Sequence, residues 1–286
     1  MARTGEFVTR DGCRLNYRLR GNGPLIALTP GGREAGEAVA SLADALAQGA
    51  TVLTWDRRNA GASDLFFGGE LSEAELWAED LADLIEHLGK GPAWLAGGSA
   101  GCRTSVISAL RRPETARGLI LWSASGGEYA CQFLGFSYHV PYIMAAQRAG
   151  MAAVAETPFF ADRIAANPAN RERLLSLDQD EFVAVMRRWN RAFYYDPAET
   201  LTGAADEALK TIAVPTLIFE GNDDVHAPEV ARRMAELIPG NTFLPSPWSN
   251  EDWLDKFTGR KTGSVFELYP LLAPAILDFV KRSEAA

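Results

Sequence analysis

The sequence predicts an α/β protein whose mostly parallel central sheet is interrupted once by an all-helical insertion. Three observations lead to this prediction. Short apolar runs bounded by Gly, Pro and Asp recur along residues 6–123 and return at residue 216. Helical patterns separate the later runs, as the crossovers between parallel strands require. Between residues 125 and 207 the pattern is helical only.

Length and composition narrow the class of protein. The chain has 286 residues, of which 47% are hydrophobic and 23% charged, and this is typical of a globular protein. A net charge of -9 without a basic block argues against nucleic acid as a partner. No signal-peptide core and no apolar run of membrane-span length is present, so we expect a cytoplasmic protein without a membrane partner. Its partner should be a small-molecule substrate or ligand, and the sequence leaves a homodimer as an alternative to a monomer.

The three cysteines are odd in number and lie in no metal-ligand spacing. Neither a disulfide framework nor a metal site is therefore expected, and the thiols should be reduced and buried.

The strands are predicted in chain order from their apolar runs. The first two are joined by Asp11-Gly12, a hairpin turn, so the sheet should begin antiparallel and then become parallel. The predicted strands are 6–10, 14–20, 24–29, 50–55, 93–96, 118–123, 216–220 and 242–244.

The helices are predicted from their start signals and apolar stripes. Ser72 to Glu75 forms a capping box that opens a helix ending at Leu88. Asp178 opens another, whose stripe contains Phe182, Met186 and Trp189. Further helices are predicted at 102–112, after Pro228, and at 271–281. The domains predicted from this order are an α/β core (1–124 and 208–286) and a helical cap (125–207), which should cover the carboxyl ends of the strands.

A candidate nucleophile follows the fifth strand. Residues 97–101 read Gly-Gly-Ser-Ala-Gly, a Gly-x-Ser-x-Gly turn between a strand and a helix. Small residues allow the backbone to turn sharply, which holds the Ser99 hydroxyl clear of the sheet. The alternative is a glycine-rich turn with an N-capping serine.

A second candidate feature follows the third strand. The residues Pro30-Gly31-Gly32-Arg33 leave backbone N–H groups uncovered. An N–H at Gly32 together with that of Ala100 could form an oxyanion hole.

These residues resemble the α/β-hydrolase superfamily. The resemblance rests on the turn at 30–32, the run Trp55 to Asp64 after the fourth strand, the turn at 97–101, the helical cap, and the run Pro215 to Asp224. It implies that Ser99 is the nucleophile, that Asp224 is the acid, that the oxyanion hole lies near Gly32 and Ala100, and that the cap shapes the substrate pocket.

The superfamily's histidine is missing from its expected place after the last strand, since residues 241–286 contain none. Of the three histidines, His87 should be a surface residue. His226 lies two residues after Asp224 and is the catalytic candidate. Other possible bases are His139 and, if burial raised the pKa of a carboxyl group, Asp223, Glu128 or Glu251.

Substrate contacts are predicted at five positions that face the expected pocket or lie in the cap, although packing would also explain most cap aromatics. They are Arg33, Tyr138, His139, Trp189 and Trp248.

The function predicted from these features is cofactor-independent hydrolysis of a small, partly apolar ester, lactone, amide or C–C substrate. Ser99 would act with a non-standard base in an incomplete triad. One alternative is a catalytically silent ligand-binding or sensing protein on the same fold. Another is a lyase or cofactor-free oxygenase.

Overall fold

A computed structural model describes residues 3–285, which contain one eight-stranded sheet. The strand order is β1-β2-β4-β3-β5-β6-β7-β8, with β1–β2 and β2–β4 antiparallel and the other pairs parallel. This confirms the predicted sheet with its antiparallel start. The strands are β1 (Arg3–Val8), β2 (Arg14–Gly21), β3 (Leu25–Thr29), β4 (Thr51–Asp56), β5 (Ala93–Gly98), β6 (Ala116–Trp122), β7 (Thr216–Phe219) and β8 (Thr242–Leu244).

Helices cover both faces of the sheet. Those of the core are α1 (Ala40–Leu46), α2 (Glu73–Leu88), α3 (Ala100–Arg111), α8 (Asp206–Leu209), α9 (Pro228–Leu237), α10 (Asn250–Phe257) and α11 (Ala273–Glu284). Shorter 3₁₀ segments span Gly36–Val39, Pro113–Thr115 and Val265–Leu272. The sequence did not predict α1 or α10.

The sheet separates two hydrophobic clusters. Along β5, Leu95 packs into one cluster while Trp94 and Ala96 pack into the other. All six residues of β5 are buried, as expected for a central strand of a parallel sheet. The carboxyl end of β5 therefore lies on a rigid support.

An all-helical cap lies between β6 and β7, as predicted. Its helices are α4 (Gly127–Ala155), α5 (Pro158–Ala166), α6 (Ala169–Leu175) and α7 (Gln179–Arg191), and α4 is broken at Ala149–Gly150. The exact domain boundaries stay a prediction. Trp189 is buried in a separate cap cluster with Phe160 and Phe182, and its indole N–H donates to the Leu71 carbonyl at 3.1 Å. It therefore packs the cap, and the structure does not support the substrate contact predicted for it.

Two further findings concern the described residues. Within 3–285, no helix is both long and apolar enough to cross a membrane. Cys13, Cys102 and Cys131 are buried and carry free thiols.

Candidate active site

Ser99 lies on a strained turn between β5 and α3. Its backbone angles are φ 54° and ψ -118°, a left-handed conformation that side chains other than glycine rarely adopt. The flanking residues must be small, because a Cβ on Gly97 would lie 2.4 Å from the carbonyl group of Gly101. Strain held in place by such close packing is a feature of functional sites.

The Ser99 side chain does not cap α3. It makes no capping hydrogen bond, whereas the Ser99 backbone N–H donates to the Ser123 carbonyl at 3.0 Å. The alternative of an N-capping serine is therefore wrong, and the hydroxyl group is available for chemistry.

The residues Pro30 to Arg33, here called the glycine loop, lie against this serine. A Cβ placed on Gly31 would be 3.3 Å from the Ser99 Cβ. Among residues 3–285, no acceptor takes a hydrogen bond from the backbone N–H of Gly32 or of Ala100. Both groups are thus free to bind a negatively charged oxygen.

Arg57 holds the glycine loop from behind. Its Nη2 donates to the carbonyl of Gly32 at 2.9 Å and reaches those of Gly31 and Glu34 at 3.4 Å. The guanidinium is fully buried over the Trp77 ring, at 4.3 Å, and burial lowers its pKa to about 10. These bonds fix the carbonyls of the loop and with them the direction of its N–H groups.

A buried histidine–carboxylate pair follows β7. His226 Nδ1 lies 2.8 Å from Asp223 Oδ2, and Asp223 Oδ1 also accepts from the backbone N–H groups of Val225 and His226 at 2.9 Å. Asp224 is exposed. The carboxylate paired with the histidine is therefore Asp223, not Asp224 as the resemblance implied, because the loop turns Asp223 inward.

His226 presents its second ring nitrogen as an acceptor. With Asp223 accepting from Nδ1, the neutral ring carries its proton there and leaves the Nε2 lone pair free. Nε2 is buried and has no partner among the described residues, the Ser99 hydroxyl included. Because β7 is two strands from β5 in the sheet, about 10 Å lies between the strands that carry these residues.

Tyr269 is a site residue that the sequence analysis missed. Its hydroxyl lies 3.7 Å from the point where a Gly31 Cβ would be, the same point that is 3.3 Å from the Ser99 Cβ. Burial, with the charge of Asp223 acting in the same direction, raises the pKa of Tyr269 to about 12, so the phenol stays protonated. Trp248 stacks on this ring at 5.6 Å and so supports Tyr269.

His139 is locked in the cap. Its Nε2 lies 3.3 Å from Arg33 Nη2, and its Nδ1 lies 3.1 Å from the Gly135 carbonyl. Burial and then the charge of Arg33 lower the pKa of His139 to about 2. Since both ring nitrogens are engaged, His139 has no free lone pair to serve as a base. Glu128 and Glu251 are exposed and lack the burial that this role requires.

Arg33 joins the core to the cap. Its Nη2 lies 2.6 Å from Glu73 Oε2, and its Nη1 donates to the Tyr138 carbonyl at 2.8 Å. Each of its three guanidinium nitrogens has a protein partner, which leaves the predicted substrate contact without support. Tyr138 does border the site, because its hydroxyl lies 3.9 Å from the point where a Gly32 Cβ would be. His87 is exposed, as predicted.

Comparisons with known proteins agree with this architecture. Residues 26–254 match the model of the alpha/beta hydrolase family. The chain is 32% identical over 103 residues to an uncharacterised hydrolase of Bacillus subtilis, covering 36% of this chain and 38% of that one. It is 35% identical over 106 residues to 2-(acetamidomethylene)succinate hydrolase of Mesorhizobium japonicum, covering 37% of each. The alignments thus span well under half of these two relatives. The enol-lactonase of Burkholderia xenovorans shares the fold, with a TM-score of 0.62 and 20% identity over 97% of this chain and all of that one. The chain belongs to the alpha/beta hydrolase family.

Proposed function

We propose that the protein is a cofactor-independent hydrolase in which Ser99 is the nucleophile and His226, held by Asp223, is the base. The observation that carries this proposal is the buried His226–Asp223 pair, whose Nε2 is free. The pair follows β7 and the strained Ser99 follows β5, so both lie at the carboxyl ends of parallel strands. A serine hydroxyl needs an adjacent base to become a useful nucleophile, and this pair can supply one.

In the proposed reaction, His226 Nε2 takes the Ser99 proton as Oγ bonds to the substrate's carbonyl carbon. The N–H groups of Gly32 and Ala100 stabilise the oxyanion. The protonated imidazole then gives its proton to the leaving group as the bond to the carbonyl carbon breaks. A water molecule attacks the resulting acyl-Ser99 and gives a proton to His226, which returns it to Oγ.

Tyr269 has a role in this scheme that its position supports. Ser99 and His226 are not hydrogen-bonded to each other, and hydrogen bonds at such sites often tighten only once substrate is present. In the proposed scheme the protonated Tyr269 phenol, which like Ser99 lies next to Gly31, donates a hydrogen bond to Oγ once substrate is bound and orients it toward His226.

The proposed substrate is a small, partly apolar ester, lactone, amide or C–C compound. The relatives support hydrolytic chemistry of this range, since one is named for a succinate derivative with an acetamido group and a fold neighbour for an enol-lactone. The aromatic side chains of Tyr138 and Tyr269 supply apolar surface beside the serine.

A second candidate is a ligand-binding protein without turnover. Within residues 3–285, Ser99 and His226 are not hydrogen-bonded to each other. This favours a ligand-binding protein over other non-hydrolytic functions.

The test is turnover of a panel of 4-nitrophenyl esters, lactones and N-acetyl amides by the wild type, Ser99→Ala and Ser137→Ala. We expect the wild type to hydrolyse at least one substrate, Ser99→Ala to lose that activity, and the cap variant Ser137→Ala to keep it. Equal turnover by Ser99→Ala would exclude Ser99 as the nucleophile. Binding of panel compounds without turnover would favour the second candidate.

A further inference from the structure

Three guanidinium groups are buried around Tyr138, beside the glycine loop. Arg33, Arg57 and Arg103, here called the arginine cluster, are no more than 6% exposed. The Arg33 guanidinium carbon lies 5.0 Å from the centre of the Tyr138 ring. Arg103 lies 4.4 Å over the Phe193 ring, which in turn meets Tyr138 edge-on at 5.8 Å. Burial raises the pKa of Tyr138, and the charges of all three arginines oppose this effect.

The cluster carries more positive charge than the protein neutralises. Arg33 is bonded to Glu73. Arg57 donates only to carbonyl groups, and Arg103 Nε donates to the Thr202 carbonyl at 2.8 Å. The other buried carboxylates within residues 3–285 are bonded elsewhere: Asp64 to Arg14 and Arg173, Asp80 to Arg58, and Asp223 to His226.

Free polar atoms remain in this region. Arg57 Nε and Nη1 are buried without a hydrogen-bond partner, and so is Glu73 Oε1. Burial lowers the pKa of Arg103 as well as that of Arg57, so both charged side chains are held at a cost. Guanidinium groups keep their proton at neutral pH, so three positive charges face the bonded carboxylate of Glu73 and the exposed carboxylate of Glu34, and positive charge stays in excess beside the glycine loop. An uncompensated buried charge is strongly unfavourable, and an anion bound nearby would compensate it.

We propose that the positive charge of Arg57 and Arg103, which no bonded carboxylate neutralises, selects substrates that carry a carboxylate, and that this group binds beside the Tyr138 hydroxyl at the glycine loop. The binding site borders the glycine loop, because the Tyr138 hydroxyl lies 3.9 Å from the Gly32 Cβ point, and Gly31 of the same loop lies against Ser99. Arg57 acts through its charge and through the loop it holds, and Arg103, on the core helix α3, acts through its charge beside Phe193. The inference rests on the proposed function only for which bond of the substrate is cleaved. Binding of the carboxylate does not depend on it.

The first experiment measures binding by calorimetry, with succinate and the uncharged, equally sized succinamide as probes. The full-length protein is compared with Arg103→Gln, with Arg57→Gln and Arg57→Lys, and with Arg148→Gln. Arg148 is an exposed cap arginine and provides the matched control for loss of one charge. Melting curves show that each variant folds.

We expect succinate to bind and succinamide not to bind. Arg103→Gln should weaken succinate binding about 10-fold, the effect of losing one interaction with a charged group. Arg57→Gln should weaken it likewise and Arg57→Lys less, while Arg148→Gln should leave it unchanged. Equal binding of succinamide, an unchanged affinity in Arg103→Gln, or tighter binding of inorganic phosphate would overturn the proposal.

The second experiment separates this inference from the proposed function. Succinate should slow the labelling of Ser99 by a fluorophosphonate, and succinamide should not. Labelling of Ser99 without any succinate binding would overturn the carboxylate proposal and leave the hydrolase standing. Succinate binding without any labelling of Ser99 would support the carboxylate site and count against the hydrolase.

Discussion

His226 Nδ1 lies 2.8 Å from Asp223 Oδ2, and the two residues are only three positions apart in one loop. A catalytic histidine usually approaches its serine from one loop while its acid partner lies on another. Here the loop after β7 supplies both groups. In the proposed mechanism the carboxylate orients the ring and stabilises the charge that develops when Nε2 takes a proton.

Asp223→Asn should lower kcat by about 10² to 10⁴, because an amide in place of the carboxylate leaves the histidine in the wrong tautomer. The neighbouring Asp224→Asn is the matched control. Asp224 is exposed, so this variant should keep wild-type turnover. Steady-state kinetics on the best panel substrate measures kcat for both variants. A larger loss of kcat in Asp224→Asn would identify Asp224, not Asp223, as the acid.

Tyr269→Phe should lower kcat about 10- to 100-fold while KM changes little, because it removes one hydrogen-bond donor beside Ser99 and keeps the ring that stacks on Trp248. Steady-state kinetics measures kcat and KM, and a melting curve distinguishes loss of the hydrogen-bond donor from loss of packing. Tyr194→Phe, on an exposed tyrosine of the cap, is the control. Unchanged kcat in Tyr269→Phe would show that the hydroxyl takes no part.

Ser99→Gly should be more stable than Ser99→Ala by about 1 kcal/mol. Alanine keeps the unfavourable left-handed conformation at φ 54°, whereas glycine adopts it freely. The free energy of unfolding by urea measures the difference. If alanine proved equal to glycine or more stable, the turn would not be strained.

Stability should fall below pH 6.5 because of His139. Its folded pKa is lowered from 6.5 to about 2, so between these values the unfolded chain takes up a proton that the folded protein cannot. The free energy of unfolding therefore rises with pH up to about 6.5, with a slope of at most about 1.4 kcal/mol per pH unit from this residue.

The matching variant is His139→Gln, which cannot titrate but can still accept a hydrogen bond from Arg33. As the pH falls from 7.5 to 4.5, the free energy of unfolding by urea should fall less steeply for this variant than for the wild type. Parallel pH profiles would mean that His139 does not contribute.

The sequence predicted the sheet and most helices because apolar periodicity and turn residues determine them locally. The Ser72 capping box is present in the structure, and α2 begins and ends where predicted. Helix α1 was missed because it has only seven residues and its apolar positions are mainly alanine and leucine without a start signal.

The site was predicted less completely because it depends on which side chain a loop turns inward. Two adjacent aspartates follow β7, and the sequence alone does not show that Asp223 points to His226 while Asp224 faces water. Tyr269 was missed because it comes from a 3₁₀ segment far along the chain and comes near Gly31 and Ser99 only through the tertiary fold. Arg33 and His139 were predicted as substrate contacts, but neither polar group is free, because Arg33 bonds to Glu73, Tyr138 and His139.

The most direct test of the central claim is the rate at which a fluorophosphonate labels Ser99, followed by mass spectrometry of the intact protein. We expect labelling of the wild type and of the exposed-histidine control His87→Asn at equal rates. Ser99→Ala should not be labelled, and His226→Asn should be labelled at least about 100-fold more slowly, because the serine loses its base. Labelling of His226→Asn at the wild-type rate would contradict the assignment of His226 as the base.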